Sequence, residues 1–285
     1  MLPIGTPFVN SLKRDLRQGK KALGAWLQLC NAMSAEIFAR AGFDFLIVDM
    51  EHAPGDLMTL VAQFQAMGKF PVTPVVRAPW NDFVTIKRIL DSGAHGVHVP
   101  YVNTADETRE AVRAVRYAPA GIRGIAGSPR ACGYGLDGKN YYANANAEIL
   151  MYVALETPQA VKNLDAIMDV EGVDGIFIGP MDMAASMDHL GDPGHAEVQE
   201  IIRSIEKKVV GSGKFLGTVA GDYDAARELF GRLEPLLASG SPESLKLIGK
   251  LRGIPGSAEL IEMMEDFYFG DALKILEKLK ENMDI

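Results

Sequence analysis

The sequence predicts an α/β fold in which a parallel sheet closes into a barrel. Three observations predict it. Short apolar runs rich in β-branched residues alternate with amphipathic helical stretches along most of the 285 residues. Each of the early runs ends on a polar or charged residue, as strands feeding a shared ligand-binding edge do. The length also fits, since a barrel of this kind takes about 250 residues. With this many units and right-handed crossovers, closure is favoured over an open sheet.

Residues 11–21 read as a charged helix that covers a barrel mouth or lies on the surface. The first strand is 23–29, with Gln28 near its C-terminal end. Ser34 is the expected cap of a helix over 35–41 that Gly42 ends. The second strand, 45–48, runs into Asp49-Met50-Glu51-His52, and 57–67 supplies the next helix. The third strand, 72–76, ends at Arg77, and Pro79-Trp80-Asn81-Asp82 forms the turn that caps a helix over 83–91. The fourth strand is 96–100, backed by a helix over 105–116. Residues 117–148, rich in Gly, Ser and Asn, read as one long loop of the kind used for lids or subunit contacts. Strands at 150–155 and 175–178 follow, joined by a helix over 160–168. A strong amphipathic helix spans 196–212, a seventh strand 214–219, and another helix begins at 224–230.

After Gly231 the alternation stops. Helical periodicity covers 243–251, 257–269 and 271–282, with Ser257 and Asp271 as expected N-caps. Leu260, Met263, Met264, Phe267, Leu273, Leu276 and Leu279 recur at helical spacing, and no β-branched run offers an eighth strand. The expected division is a barrel domain over 1–232 and a helical extension over 233–285, packed on the barrel or on a neighbouring subunit. Without an eighth strand, two sheet edges are exposed, which favours association.

Composition narrows the function. A net charge of −8 disfavours nucleic acid as partner, because phosphate backbones call for a basic face. No apolar run reaches the roughly 18 residues of a membrane span, and the first twenty residues are too polar for a signal peptide. The expected location is the cytoplasm, where Cys30 and Cys132 stay reduced.

Glu156 and Asp182 close the fifth and sixth strands. Two acids at that edge, with no Lys or Arg beside them in sequence, call for a divalent cation, and an all-oxygen pair suits Mg²⁺ or Mn²⁺ better than Zn²⁺. Arg77 offers a planar fork for a carboxylate or an enolate oxygen. His52 titrates near neutrality and is suited to moving a proton, with Asp49 three residues earlier to orient it. The cation would take a 2-oxo acid through its keto and carboxylate oxygens and stabilise the enolate formed when a carbon–carbon bond breaks. No strand ends in a lysine, which disfavours a Schiff-base aldolase. Each residue alone also has a purely structural reading. Glu156 would cap a loop, Asp182 or His52 a helix, Arg77 would pair with Asp82, and Asp49 would be a loop acid.

Asp49-Met-Glu-His52-Ala-Pro, Val75-Val-Arg77-Ala-Pro-Trp80-Asn-Asp82, Tyr117-Ala-Pro-Ala-Gly-Ile-Arg-Gly124, Leu155-Glu156-Thr and Phe177-Ile-Gly-Pro-Met-Asp182 together resemble the HpcH/HpaI family of class II pyruvate aldolases, over about residues 23–230. The resemblance implies a phosphoenolpyruvate/pyruvate-type (β/α)₈ TIM barrel, here with an atypical all-helical tail in place of the eighth strand. It implies Glu156 and Asp182 as ligands of a divalent metal (Mg²⁺, or else Mn²⁺ or Co²⁺), His52 as base and Arg77 as transition-state stabiliser. Asp91 matches the acid that supports the histidine from a neighbouring subunit. Members form homo-oligomers, usually hexamers, with a C-terminal helix exchanged between paired subunits. The implied reaction cleaves 4-hydroxy-2-oxo acids to pyruvate and an aldehyde. Two substrate-contacting positions depart from the family pattern: Ala154 stands where a glutamine is common, and Met181 where an alanine is usual. An oxaloacetate decarboxylase or synthase using the same enolate is a second reading, and a catalytically silent assembly subunit a third.

Overall fold

A computed structural model describes residues 7–219, 223–252, 254 and 256–283. The chain divides into two compact units. The first runs through Phe177 and includes Val209–Gly217; the second comprises Ile178–Lys208 and the chain from Thr218 on.

The first unit alternates strand and helix. α1 (Ser11–Arg17) precedes β1 (Gly24–Leu27), followed by α2 (Ala32–Arg40), β2 (Phe45–Asp49), α3 (Leu57–Met67), β3 (Thr73–Arg77), α4 (Phe83–Asp91), β4 (Gly96–Val99) and α5 (Ala105–Val115). A 3₁₀ turn (Arg130–Gly135) and α6 (Gly138–Glu148) lead to β5 (Leu150–Leu155), α7 (Pro158–Lys162), α8 (Leu164–Met168) and β6 (Gly175–Ile178). α9 (Pro180–Ser186) and most of α10 (Ala196–Ser212) belong to the second unit and precede β7 (Phe215–Thr218) in the chain. The seven strands form one sheet in chain order, and β1 to β5 pair in parallel. β2 to β6 are buried runs, as strands covered on both faces must be. β1 and β7, the two ends of the order, are mostly half-buried. A Cβ at Gly175 would stand 2.7 Å from the Phe215 carbonyl oxygen, so only glycine lets β6 approach β7 this closely.

α1 covers the N-terminal ends of the strands, the edge opposite Arg77 and Glu156. Leu12 packs with Ile47, Val75 and Leu150. Lys13, almost fully buried, reaches Asp174 Oδ2 at 2.7 Å and donates to the Ile149 carbonyl at 2.8 Å. Asn10 donates to the His95 carbonyl at 2.8 Å.

Several local expectations change. Asn31, not Ser34, caps α2, and its side chain accepts from the Ser34 amide at 2.8 Å. The stretch read as one long loop contains α6; its asparagines are weak helix formers, but buried Tyr141 and Ala145 outweigh propensity. The stretch expected as one helix over 160–168 is two short ones that meet at Asn163.

In the second unit α11 (Tyr223–Ala238) runs continuously through Pro235, so residues 232 and 233 lie within one helix. A 3₁₀ turn (Pro242–Leu247), α12 (Ile248–Leu251), α13 (Ala258–Glu265) and α14 (Phe269–Met283) follow. Leu229, Phe230, Leu233, Leu251, Leu260, Met264 and Leu276 share one hydrophobic cluster. Ser257 precedes α13 without capping it, because its hydroxyl donates to the Leu251 carbonyl at 2.6 Å. Asp271 lies inside the first turn of α14, paired with Lys274 at 2.8 Å. Among the described residues, no helix is long and apolar enough to cross a membrane.

Candidate active site

The C-terminal ends of β1, β2 and β3 converge on one buried ion pair. Asp49 and Arg77 are register partners, and the guanidinium grips the carboxylate twice, Nε to Oδ1 at 2.9 Å and Nη2 to Oδ2 at 2.6 Å. Gln28 Nε2 donates to Asp49 Oδ2 at 2.8 Å, and the amides of Glu51 and His52 donate to Oδ1 at 3.1 and 3.3 Å. Burial pushes the Asp49 carboxyl up, but the bonds from Arg77 and Gln28 outweigh it and hold it at about 2. The carboxylate therefore stays charged and Arg77 stays fixed. The Trp26 ring lies 4.3 Å from the guanidinium carbon, a cation–π contact that closes the other side of Arg77.

His52 projects from this cluster, its side chain 55% exposed, with Nε2 3.6 Å from Glu51 Oε2. The Asp49 carboxylate meets the His52 amide, while Glu51 faces the ring. Glu51 Oε2 also stands 3.3 Å from Arg77 Nε, so one acid links the histidine and the arginine.

Glu156 follows β5 and is buried, and its Oε2 accepts from the Tyr101 amide at 2.8 Å. Tyr101 has a positive φ of 55° that turns its amide toward the carboxylate, and its ring stacks on Trp80. Ala154, two residues before Glu156 on the same strand face, is fully buried. Asp182 and Met181 lie in the first turn of α9, in the second unit, both exposed. Asp91 ends α4, where its Oδ1 accepts from Arg123 Nη2 at 2.8 Å. Arg123 stacks on Tyr117 and ties the 117–148 segment to α4.

The structural readings of these residues find other owners. Asp82 caps α4 through Thr85, Asp56 caps α3, Thr157 caps α7 and Gly179 occupies the cap position of α9. Arg77 pairs with Asp49 instead of Asp82, and neither His52 nor Asp182 holds a cap position, whereas Glu156 does take a loop amide, that of Tyr101.

Sequence reasoning missed Trp26, Glu51, Tyr101 and His98. Trp26 shares a strand face with Gln28, so the period of two was the available signal. His98 had none. It lies opposite Arg77 on β4, buried, its ring 4.9 Å from Tyr152 and 4.8 Å from Phe177. Burial, then repulsion from Arg77, lowers its pKa to about 3, with Asp49 offsetting part of the effect. The imidazole is neutral.

A parallel α/β protein carrying an arginine fork, an exposed histidine and a buried acid at the carboxyl edge of its strands is of the class that binds small ligands at that edge, and the fork suits an anionic one. The HpcH/HpaI aldolase/citrate lyase family model matches residues 22–244. The chain is 45% identical, over 76% of its length and 83% of the relative's, to 4-hydroxy-2-oxo-heptane-1,7-dioate aldolase of Escherichia coli (strain ATCC 8739). A crystal structure of an HpcH/HpaI aldolase/citrate lyase family protein from Burkholderia cenocepacia J2315 superposes with a TM-score of 0.73 at 38% identity, covering 77% of this chain and 88% of that one. An HpcH/HpaI aldolase from Desulfitobacterium hafniense DCB-2 gives 0.69 at 32%, covering 76% and 83%. The chain belongs to the HpcH/HpaI aldolase/citrate lyase family.

Proposed function

We propose that the protein is a divalent-metal-dependent aldolase that cleaves 4-hydroxy-2-oxo acids to pyruvate and an aldehyde. The observation that carries this reading is the Asp49-clamped Arg77 standing at the same strand edge as buried Glu156. Glu156 and Asp182 offer only carboxylate oxygens, a donor set that fits Mg²⁺, Mn²⁺ or Co²⁺. A cation held there would supply Lewis-acid polarisation of the substrate's 2-oxo group.

The chain's own residues do the rest. The Asp49 clamp uses two of the five N–H donors of Arg77 and aims the fork, whose charge favours the oxygen that becomes negative as the C3–C4 bond breaks. His52 takes the proton of the 4-hydroxyl, and Glu51 steadies the resulting imidazolium. The proton returns to C3 and completes the pyruvate methyl group. Ala154 and Met181, standing where the resembled family has glutamine and alanine, are the two positions expected to bear on the choice of aldehyde. Asp91 is the acid proposed to support His52 across a subunit boundary in a homo-oligomer.

We also read the fold as a TIM-type barrel, domain 1–232, in which the helices of 233–285 stand in place of an eighth strand. The cluster shared by α11 to α14 supports a helical C-terminal region with its own core, one that begins within α11 before residue 233.

Exchange of pyruvate methyl protons in deuterated water tests the reaction. Exchange is expected with Mg²⁺, Mn²⁺ or Co²⁺ and not after chelation. No exchange with any of the three would overturn the reading.

A further inference from the structure

The segment between α9 and α10 folds two of the chain's five histidines onto each other. The His189 amide donates to the Ala184 carbonyl at 2.9 Å, Asp192 to His189 at 3.0 Å, and His195 to Asp192 at 3.2 Å. Gln199 then donates to the His195 carbonyl at 3.0 Å, which opens α10. These turns bring the two imidazoles to 3.5 Å between centroids, 19° from parallel. Glu197, in the first turn of α10, places Oε2 3.2 Å from His189 Nε2. Ligand atoms of all three side chains lie within 4.8 Å of one another.

Two imidazole nitrogens beside a carboxylate make a donor set of the kind a Zn²⁺-class cation binds. Around such an ion, with Zn–N distances near 2.0–2.1 Å, tetrahedral ligand atoms sit about 3.3 Å apart. Reaching that spacing requires turning the exposed Glu197 side chain and swinging the rings, which gives up the long 3.4 Å contact from the Glu197 amide to His195 Nδ1.

We propose that His189, His195 and Glu197 form a second metal site, with three protein ligands and one open position, for Zn²⁺ or a similar borderline transition cation rather than Mg²⁺. The site lies wholly within the second unit and shares no residue with the Glu156 and Asp182 pair. Its donor set is nitrogen-rich where theirs is all oxygen, so the two select different ions. Bound metal pins the loop to the start of α10.

The test uses the full chain, stripped with chelator and dialysed against ZnCl₂ in excess MgCl₂, with bound zinc measured by elemental analysis. One zinc per chain is expected to survive the magnesium. Affinity is expected to fall by roughly tenfold or more in His189→Gln and in Glu197→Gln, the latter an exposed side chain whose loss leaves folding intact. Zinc is also expected to protect the 187–197 loop from proteolysis in the wild type and not in these variants. Glu156→Gln is expected to retain the zinc. Equal zinc binding in wild type and Glu197→Gln, or zinc lost in Glu156→Gln, would overturn the site.

Discussion

Asp49 and Arg77 occupy paired positions on neighbouring strands and join through two hydrogen bonds, 2.9 and 2.6 Å, in a site where the carboxylate has no exposure at all. A lysine cannot reproduce that fork. Arg77→Lys is expected to lower pyruvate proton exchange by about two orders of magnitude, as loss of a charge-stabilising donor does, while the circular dichroism spectrum stays unchanged. Asp49→Ala leaves the buried guanidinium without its bidentate acid, with Glu51 at 3.3 Å and Trp26 against its face, and is expected to cost about 3 kcal/mol in urea unfolding. Near-wild-type exchange in Arg77→Lys would remove the arginine from the reaction.

Glu156 receives the Tyr101 amide on one oxygen, which fixes the carboxylate's direction. Glu156→Gln keeps the shape and removes the charge. Mn²⁺ affinity, read by electron paramagnetic resonance, is expected to drop at least about tenfold; Asp182→Asn is expected to do the same. An unchanged affinity in both would mean that the reaction's cation binds elsewhere.

Much of this was legible in the chain. Strand ends announce themselves because a buried apolar run must stop at the first residue that wants water or a ligand, and Asp49, Arg77 and Glu156 each stand at such a stop. The partnership of Asp49 was not legible. Sequence proximity pointed to His52, whereas the register of β2 against β3 gives the carboxylate to Arg77. α6 was hidden because Asn140, Asn144 and Asn146 mask a helix that tertiary contacts of Tyr141 stabilise. His98 was unreadable for a similar reason: its neighbours Tyr152 and Phe177 lie far from it in sequence.

Lys13 is a buried cation at the opposite end of the strands, and burial lowers its pKa despite Asp174. Lys13→Met would leave the Asp174 carboxylate, itself 10% exposed, with the Met151 amide at 2.9 Å and Arg17 at 3.7 Å. The expected cost is about 3 kcal/mol in urea unfolding, because one partner of a buried pair remains uncompensated. Adding Asp174→Asn is expected to recover a large part of it. Simple additivity of the two losses would show that Lys13 and Asp174 are not energetically coupled.

His98 gives the protein a stability limb at mild acidity. Its folded pKa, about 3, lies below the ordinary 6.5, so between these values the unfolded chain takes a proton that the folded chain refuses. The contribution is complete above pH 6.5 and is lost as pH falls toward 3, at up to about 1.4 kcal/mol per pH unit. Asp49 acts lower: its pKa is depressed from 3.8 to about 2, so its stabilisation is lost only across that interval. His98→Phe keeps a ring against Tyr152 and Phe177 but cannot protonate. Relative to wild type, this variant is expected to gain about 2 kcal/mol in urea unfolding between pH 7 and pH 5. A difference that stays constant over that range would mean that His98 protonates in the folded core, and that Arg77 and its aromatic surroundings do not keep it neutral.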